Sequence, residues 1–450
     1  MSGELAVVLH THMPYVEGFG TWPFGEEWLW EAIATSYVPL LDVLDERLTL
    51  SVTPVLADQL EVADLGERFD RFVTEVRRTT HAADIEGAES SAVAAALQHS
   101  LAAYEAAAER MRELGGDLLG ALAPHVSWTS SATHAVLPLL ATDAGVRLQL
   151  GSGIDGHRRR FGEWGGGFWL PECAYDPALD TLLEEAGVHA VCVDLTDVPG
   201  IDPLTPLRSP AGPLLVPIDR EIIELVWSQG GYPGGPAYRD TFHRTAHDHL
   251  AHAVDGSPYD PERADAAARA DAKDFVARVL ERVAGGGLCV FAVDTELLGH
   301  WWHEGPLWLG HVLEEAGERG LTISNLDDAL ARHEPRPAPD LPVTTWGTPR
   351  DLTTWTAPSV AGIAWAIRDA ELRVVAAGAR CDDRAVRELL ALQSSDWAFM
   401  TYRELSAPYA AERVAAHREA LEDALSSIGS LPPAVRNLAP DASRAALLVP

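Results

Sequence analysis

The sequence has little of what would direct a protein to nucleic acid or to a membrane. Its 450 residues include 34 basic against 67 acidic ones, a formal net charge of −33. A field of this sign repels phosphate backbones and anionic lipids, so neither nucleic acid nor a membrane surface is an expected partner. No apolar run approaches the length of a membrane span, and the start, MSGELAVVLH, lacks the basic region of a signal peptide.

Cysteine is also scarce, and its spacing matches no redox or metal motif. The four cysteines, Cys173, Cys192, Cys289 and Cys381, include no C-x-x-C pair. Isolated thiols in strand-like runs are typical of buried side chains in a reducing compartment. We therefore expect a cytoplasmic protein without disulfides.

Several catalytic signatures are missing as well. There is no GxSxG nucleophile motif, no phosphate-binding P-loop and no GxGxxG that joins a strand to a helix. The glycine-rich run 230-GGYPGG-235 follows no helix-entry pattern, and we interpret it as a mobile loop. No repeat of solenoid length occurs.

What the chain has in excess is tryptophan. It contains 14 Trp against 10 Phe and 9 Tyr, although Trp is normally the rarest of the three. Several lie in loop-like runs, namely Trp22, Trp28, Trp30, Trp301 and Trp302. Because indole faces stack on the apolar faces of sugar rings, the excess favours a carbohydrate ligand.

Strand-like and helix-like segments alternate along the first three quarters of the chain. The clearest unit is 168–195, where a strand, a helix that starts at Asp176-Pro177 and a second strand form a β-α-β unit. The strands of such units are parallel, which predicts an α/β protein with an open sheet or a barrel. Helices are also predicted at 133–142 and 144–160.

The alternation of strand-like and helix-like segments is interrupted in two places, which suggests domain boundaries. Residues 199–262 are rich in Gly and Pro, and we predict an insertion there that carries a loop with Tyr232. A Pro-rich linker, 335–342, follows. The sequence thus predicts a catalytic domain over 1–334 and a mainly helical C-terminal domain over 343–450.

Two acidic residues follow predicted strands at the edge where functional residues of parallel sheets gather. They are Glu172 in 168-FWLPECAYD-176 and Asp294 in 291-FAVDTELLGHWWHEG-305. A carboxylate in an apolar run costs several kcal/mol unless it is paired or used. The alternative is that each acid forms a structural salt bridge or caps a helix. Glu296 and Glu304 lie near Asp294 in the sequence and compete with it for the role of the second acid. A glycosidase pair would lie about 5–5.5 Å apart if retaining and about 6.5–9.5 Å apart if inverting.

His10 and His12 project from the same side of the first strand because they are two residues apart. Such a pair can ligate a metal, with Asp294 or His300 completing the site, or can hydrogen-bond sugar hydroxyls and the acids. No aspartate lies beside the pair on its own strand. We therefore favour hydrogen bonding here, and the same role for His134 and His300, and predict no metal.

Taken in order, these runs resemble glycoside hydrolase family 57, particularly its 1,4-α-glucan branching enzymes. The matching segments span nearly the whole chain: 10-HTHMPYV-16, 129-TSSATHAVLPLL-140, 169-WLPECAYD-176, 293-VDTELLGHWWHEG-305 and 389-LLALQSSDWAFM-400. One departure is that 123–126 supplies no carboxylate where the family's second motif usually has a Glu.

The resemblance implies a distorted seven-stranded (β/α) barrel with an inserted subdomain and a C-terminal helical domain. It also implies a retaining transglycosylase that acts on α-glucan without a cofactor. Glu172 would be the nucleophile and Asp294 the general acid/base. Substrate-binding positions are expected at His10, His12, Trp22, Trp28, His134, Tyr232, His300, Trp301, Trp302, Asp396 and Trp397. The alternatives are an α-glucan hydrolase or 4-α-glucanotransferase, and a non-catalytic α-glucan-binding protein.

Overall fold

The fold is built on a curled sheet of nine strands. The computed structural model describes residues 3–20, 24–228, 230–426, 437–442 and 444–448. In chain order the strands are β1 (Glu4–Thr11), β2 (Thr49–Val52), β3 (Val126–Ser130), β4 (Gly167–Trp169), β5 (Ala190–Val193), β6 (Leu207–Arg208), β7 (Leu214–Pro217), β8 (Leu288–Asp294) and β9 (Arg336–Pro337). Their order across the sheet is β8-β1-β2-β3-β4-β5-β7-β6-β9.

Seven of these strands, from β8 to β7 in that order, run parallel and form the distorted barrel that the family resemblance implies. Every residue of β1 is buried, as is typical of strands covered on both faces. The curl of the sheet brings β8 and β7, the first and last of these seven strands, together. Asp219, just after β7, donates its backbone N–H to the carbonyl of Val290 in β8 at 2.8 Å.

Helices cover the barrel and build the C-terminal part. In chain order they are α1 (Glu26–Ala32), α2 (Val38–Leu40), α3 (Pro54–Leu60), α4 (Leu65–Arg71), α5 (Arg78–Glu86), α6 (Ser91–Glu113), α7 (Leu118–Leu122), α8 (Asp143–Phe161), α9 (Asp180–Glu185), α10 (Arg220–Trp227), α11 (Pro261–Arg282), α12 (Gly305–Arg319), α13 (Leu326–Leu330), α14 (Thr353–Thr356), α15 (Ala361–Ala377), α16 (Asp383–Leu392), α17 (Ser395–Tyr402) and α18 (Tyr409–Ser426). A π-helical turn, Ile33–Tyr37, joins α1 to α2. None of the helices in the described ranges is both long and apolar enough to cross a membrane.

Two predictions about individual segments are wrong. The range 199–262, predicted as an insertion, contains the barrel strand β7 and the helix α10, so the part that leaves the barrel begins after α10. The helix predicted at 133–142 is only a 3₁₀ turn, Leu137–Leu139. The helix predicted at 144–160 is present as α8.

The C-terminal helices share an apolar core with helices that cover the barrel. One apolar cluster joins Trp355, Val374 and Leu389 of α14, α15 and α16 to Val55 of α3 and Leu148 of α8. This packing carries α17 to the carboxyl ends of the barrel strands. Residues from both parts of the chain therefore meet there.

Candidate active site

Functional side chains converge because parallel strands all end at the same edge. His10 of β1 is in register with Asp294 of β8 on one side and with Ser51 of β2 on the other. Directly paired residues share a face of the sheet, so these three side chains point the same way. Glu172 follows the end of β4, in the 3₁₀ turn Pro171–Cys173.

Glu172 is mostly buried and receives two hydrogen bonds. The Ser395 hydroxyl donates to Oε1 at 3.0 Å, and the Trp346 indole Nε1–H donates to Oε2 at 3.3 Å. Burial raises the pKa of Glu172 to about 7 and the negative charge of Asp396 adds to the rise, while the two donors oppose it. Glu172 is thus an acid held close to the balance between its two protonation states at neutral pH.

The backbone at this edge adopts conformations that ordinary residues avoid. Glu172 has φ 61°, its neighbour Cys173 has φ 47° and His134 has φ 59°, all in the left-handed region. Such conformations cost on the order of 1–3 kcal/mol each and persist where the surroundings enforce them. Here a backbone bond from Trp346 N–H to the Glu172 carbonyl, 3.1 Å long, helps to fix the turn.

Asp294 differs from Glu172 in its hydrogen bonding. Within the described part of the chain no side-chain or backbone donor reaches its carboxylate. Burial first, and then the negative charges of Glu296, Glu172 and Asp396, raise the pKa of Asp294 well above its ordinary range. Asp294 therefore holds its proton more tightly than an ordinary aspartic acid does. Its neighbour Glu296 accepts from the Tyr37 hydroxyl at 2.6 Å and from the His12 backbone N–H at 3.0 Å.

His12 and Asp396 form a charged pair that links the barrel to α17. Their Nε2 and Oδ2 atoms lie 3.1 Å apart. Burial acts to lower the pKa of His12, but the charge of Asp396 and the hydrogen bond to it raise that pKa overall. Burial likewise opposes ionisation of Asp396, yet His12 brings the pKa of Asp396 down to about 2. His12 therefore binds a proton more tightly than a free imidazole does, and it lies next to the acids.

A chain of hydrogen bonds runs from β2 to Glu172. Ser51 Oγ lies 3.3 Å from His10 Nδ1, His10 Nε2 lies 3.0 Å from His134 Nε2, and His134 Nδ1 lies 2.9 Å from Ser395 Oγ. Because Ser395 donates to Glu172, it accepts from His134, and this fixes the tautomers of both neutral histidines. Burial lowers the pKa of His10 and of His134 well below the usual value, which keeps them neutral.

The residues at this edge also include one group with the chemistry of a metal site. A ligand atom from each of His12, His134 and Asp396 falls within 4.8 Å of the others. The hydrogen bonds described above already engage Nε2 of His12 and both ring nitrogens of His134, and His12 Nδ1 is 3.2 Å from Thr53 Oγ1. Hydrogen bonding therefore accounts for this arrangement.

The structure places some predicted substrate-binding residues elsewhere. Trp302 and Trp397 are 2% and 0% exposed, so they pack in the core and cannot stack on a sugar as expected. Trp28, His300 and Trp301 line a cavity that contains neither Glu172 nor Asp294.

Tyr232, another predicted substrate-binding residue, lies in a short turn that contacts α11. The hydroxyl of Tyr232 donates to Asp274 of α11 at 2.7 Å, which holds its 3₁₀ turn, Tyr232–Gly234, against that helix. Trp22 lies outside the described residues. The loss of a carboxylate at 123–126 affects the amino end of β3, away from the edge that holds the acids.

Sequence reasoning missed three residues that contact the acids: Trp346, Ser395 and Tyr37. Trp346 lies just after the segment interpreted as a linker, and its indole packs edge-on against Trp169 with ring centroids 5.1 Å apart. Ser395 is the first residue of α17 and belongs to the run QSSDW, 393–397. The available signals were its position next to Asp396 and its place in the matching segment 389–400.

The chain is similar to known proteins over most of its length. The profile of glycosyl hydrolase family 57 matches residues 127–342, and that of the 1,4-alpha-glucan branching enzyme C-terminal domain matches 367–438. A probable 1,4-alpha-glucan branching enzyme of Mycobacterium tuberculosis is 33% identical over 94% of this chain and 91% of its own length.

Two solved structures are similar throughout. The GH57-type branching enzyme of Pyrococcus horikoshii superposes with a TM-score of 0.87 at 32% identity, covering 93% of this chain and 88% of that one. The alpha-amylase AmyC of Thermotoga maritima superposes with a TM-score of 0.80 at 25% identity, covering 94% and 93%. The chain belongs to glycosyl hydrolase family 57, among its 1,4-alpha-glucan branching enzymes.

Proposed function

We propose that the enzyme cleaves an α-1,4 linkage of a glucan and rejoins the released segment as an α-1,6 branch, with Glu172 as nucleophile and Asp294 as general acid/base. The observation that carries the assignment of roles is the difference in hydrogen bonding. Two donors favour the ionised form of Glu172, while Asp294 has none among the described residues. Two acids whose pKa values are separated in this way suit an anionic nucleophile and a protonated acid.

In the first step a carboxylate oxygen of Glu172 attacks the anomeric carbon of the donor. The bond from that carbon to the leaving oxygen breaks as Asp294 gives its proton to the oxygen. The products are a glycosyl ester on Glu172, an ionised Asp294 and a shortened chain with a new non-reducing end. The negative charge of Asp396 raises the pKa of Glu172 more than the nearby His12 lowers it, so the donors Trp346 and Ser395 are what favour the ionised form before attack.

In the second step Asp294 removes the proton of a glucose 6-hydroxyl on an acceptor chain. That oxygen attacks the anomeric carbon, the ester bond to Glu172 breaks, and both acids return to their starting states. Two displacements at one carbon retain the α configuration. If water occupies the acceptor position instead, the product is a hydrolysed chain, so the same two acids serve either outcome.

The choice between acceptor and water depends on groups around the acids. Trp346 packs beside Trp227, whose side chain is 40% exposed, with ring centroids 5.2 Å apart. These indoles give an acceptor sugar an apolar surface close to Glu172. The Tyr232 turn begins just beyond Trp227, and we assign it a role in excluding water.

The remaining properties fit such an enzyme. The excess of acidic residues is compatible with a neutral glucan substrate. All four cysteines are buried, as expected of thiols in a reducing compartment, and we assign the enzyme to the cytoplasm.

The test is incubation with amylose, followed by quantification of new α-1,6 linkages against new reducing ends. We expect Glu172→Gln and Asp294→Asn each to lower turnover by several orders of magnitude with the fold intact. The matched control is Asp176→Asn in the loop of Glu172, since Asn retains the helix-capping function and activity should remain. Near-wild-type activity of either acid variant would refute the assignment of that acid.

The same assay separates transfer from hydrolysis. New reducing ends without α-1,6 linkages would identify the wild-type chain as a hydrolase. Tyr232→Ala should raise hydrolysis relative to transfer, whereas Tyr232→Phe, which removes only the bond to Asp274, should have a smaller effect. An unchanged ratio in Tyr232→Ala would remove the turn from the mechanism.

A further inference from the structure

A cavity of about 650 Å³ is lined in part by the β8–α12 loop, and neither Glu172 nor Asp294 is among its lining residues. Its walls come from α1, the π-helical turn, the segment 239–250 and the loop residues 299–303. The π-helical turn separates it from the acids: Tyr37 contacts Glu296, whereas Thr35 lines the cavity. A cavity of this size accommodates a small oligosaccharide.

We propose that this cavity is a second α-glucan-binding site, which holds a neutral glucan segment while the catalytic acids act on another part of the substrate. The choice of glucan as ligand rests on the proposed function. The choice of a neutral, hydroxyl-rich ligand rests on the charges and hydrogen-bonding groups of the cavity itself.

The charged groups of the cavity are largely paired with one another. Arg77 contacts Glu27 at 2.9 Å and Glu31 at 2.6 Å, and Arg244 contacts Asp248 at 3.0 Å. In all, three arginines and five carboxylates line the cavity. The excess of acids disfavours an anion such as phosphate, while the paired groups offer both donors and acceptors to sugar hydroxyls.

One buried cation has free hydrogen-bonding capacity. Arg239 is 4% exposed and donates from Nη1 to the Leu250 carbonyl at 3.1 Å. Its Nε and Nη2 have no acceptor in the described part of the chain. A buried donor left without an acceptor costs about 1–3 kcal/mol. Hydroxyl oxygens of a sugar in the cavity would supply the acceptors.

The cavity also presents an aromatic surface of the kind that binds sugars. Trp301 is 61% exposed, and the His300 ring meets it edge-on with centroids 5.2 Å apart. The Trp301 backbone N–H donates to the Glu296 carbonyl at 3.2 Å, which fixes the loop that carries the indole. An exposed indole on an anchored loop provides a stacking surface at little entropic cost.

The loop also relates the cavity to the reaction. Asp294 begins the segment that leads through Glu296 to Trp301, so a glucan held at Trp301 lies against the loop that positions the general acid/base. A second point of attachment raises the effective concentration of the polymer at the acids. Long glucans gain from this more than short ones do.

The test uses the full chain with Glu172→Gln, which blocks turnover, and compares Trp301→Ala with Trp365→Ala in that background. Trp365 is the matched control because it is 71% exposed on α15 and lies outside the cavity. Retardation in native gels that contain amylose measures binding. We expect Trp301→Ala to weaken retention about fivefold or more, and Trp365→Ala to leave it unchanged.

Soaking crystals of the Glu172→Gln chain with maltohexaose locates the site directly. We expect sugar stacked on Trp301 with hydroxyls at Arg239. Absence of sugar density at Trp301, together with equal retention of the two tryptophan variants in amylose gels, would overturn the second site. This holds even if the wild-type enzyme forms α-1,6 linkages. Conversely, loss of retention in Trp301→Ala without any branching by the wild type would retain the site and refute the proposed function.

Discussion

A single hydroxyl, that of Ser395, connects the histidine chain to the nucleophile. It accepts from His134 at 2.9 Å and donates to Glu172 at 3.0 Å. Ser395 comes from α17, so the charge state of a barrel residue is set partly by the C-terminal helices. This makes Ser395 a positioning residue for Glu172, and its effect should be visible in the pH dependence of the reaction.

Ser395→Ala should shift the acid limb of the kcat/KM profile to higher pH. Glu172 must be ionised to attack, so activity rises with pH through its pKa of about 7, and Asp294 must be protonated, so activity falls at higher pH. Removing a donor disfavours the carboxylate and raises the pKa of Glu172. A hydrogen bond to a charged group is worth about 1.5–3 kcal/mol, which predicts a shift of about one to two pH units.

A matched control for this variant is Ser127→Ala. Ser127 is also on the barrel, in β3, and its hydroxyl has no partner in the described ranges. Its profile should keep the wild-type acid limb. If Ser395→Ala merely lowered kcat at every pH with the limb in place, a positioning role through Glu172 would be ruled out.

At the scale of elements, the C-terminal helices are joined to the barrel by a buried carboxylate at the start of α8. Glu371 of α15 is fully buried and accepts from the backbone N–H groups of Ala141 and Thr142 at 2.9 and 2.8 Å. It also accepts from the Thr142 hydroxyl at 2.6 Å and from Gln393 Nε2 at 3.1 Å. A negative charge at the amino end of a helix is stabilising, so this contact fixes α15 on α8.

Glu371→Ala should lower the free energy of unfolding by about 3 kcal/mol, because four donors lose their acceptor inside the protein. Urea denaturation measures the change. The control is Glu419→Ala, an exposed position on α18, which should alter stability by less than about 0.5 kcal/mol. Equal stability of the two variants would mean that the carboxylate does not join the elements.

How far the sequence predicts these elements depends on how local their determinants are. The β4-α9-β5 unit is predicted correctly because its cap at Asp176 and its apolar strands are local signals. The helix predicted at 133–142 is wrong because distant groups fix that segment: Thr133 donates its hydroxyl to the Leu390 carbonyl at 2.6 Å. Likewise, Trp346 and Ser395 reach Glu172 from 174 and 223 residues away, so no local pattern revealed them.

At the scale of the whole molecule, the fold and the family are confirmed, whereas the roles of the two acids stay a prediction. The barrel and α17 together gather Glu172, Asp294, Glu296 and Asp396 at one edge of a chain that is already strongly acidic. Burial raises the pKa of Glu172 and of Glu296 to about 7 each. The folded state therefore carries an electrostatic cost at neutral pH that serves the chemistry rather than stability.

This cost makes the stability of the molecule depend on pH in a definite direction. Glu172 has an unfolded pKa of 4.5 and a folded pKa of about 7, so the folded state holds the proton more tightly. The contribution of Glu172 to the free energy of unfolding is therefore fully present below pH 4.5. It is lost as the pH rises through 7. This difference between the folded and the unfolded pKa corresponds to at most about 3 kcal/mol in the free energy of unfolding.

Glu172→Gln removes the ionisation and should therefore make the enzyme more stable relative to the wild type as the pH rises. The difference in free energy of unfolding between the two proteins should grow by about 1–3 kcal/mol from pH 5 to pH 8, measured by urea denaturation at each pH. All other titrating groups are common to both chains, so the comparison isolates Glu172. Glu163→Gln, at an exposed position, is the matched control for the substitution itself. A constant difference for Glu172→Gln would show that the carboxylate ionises as easily in the folded chain as in the unfolded one.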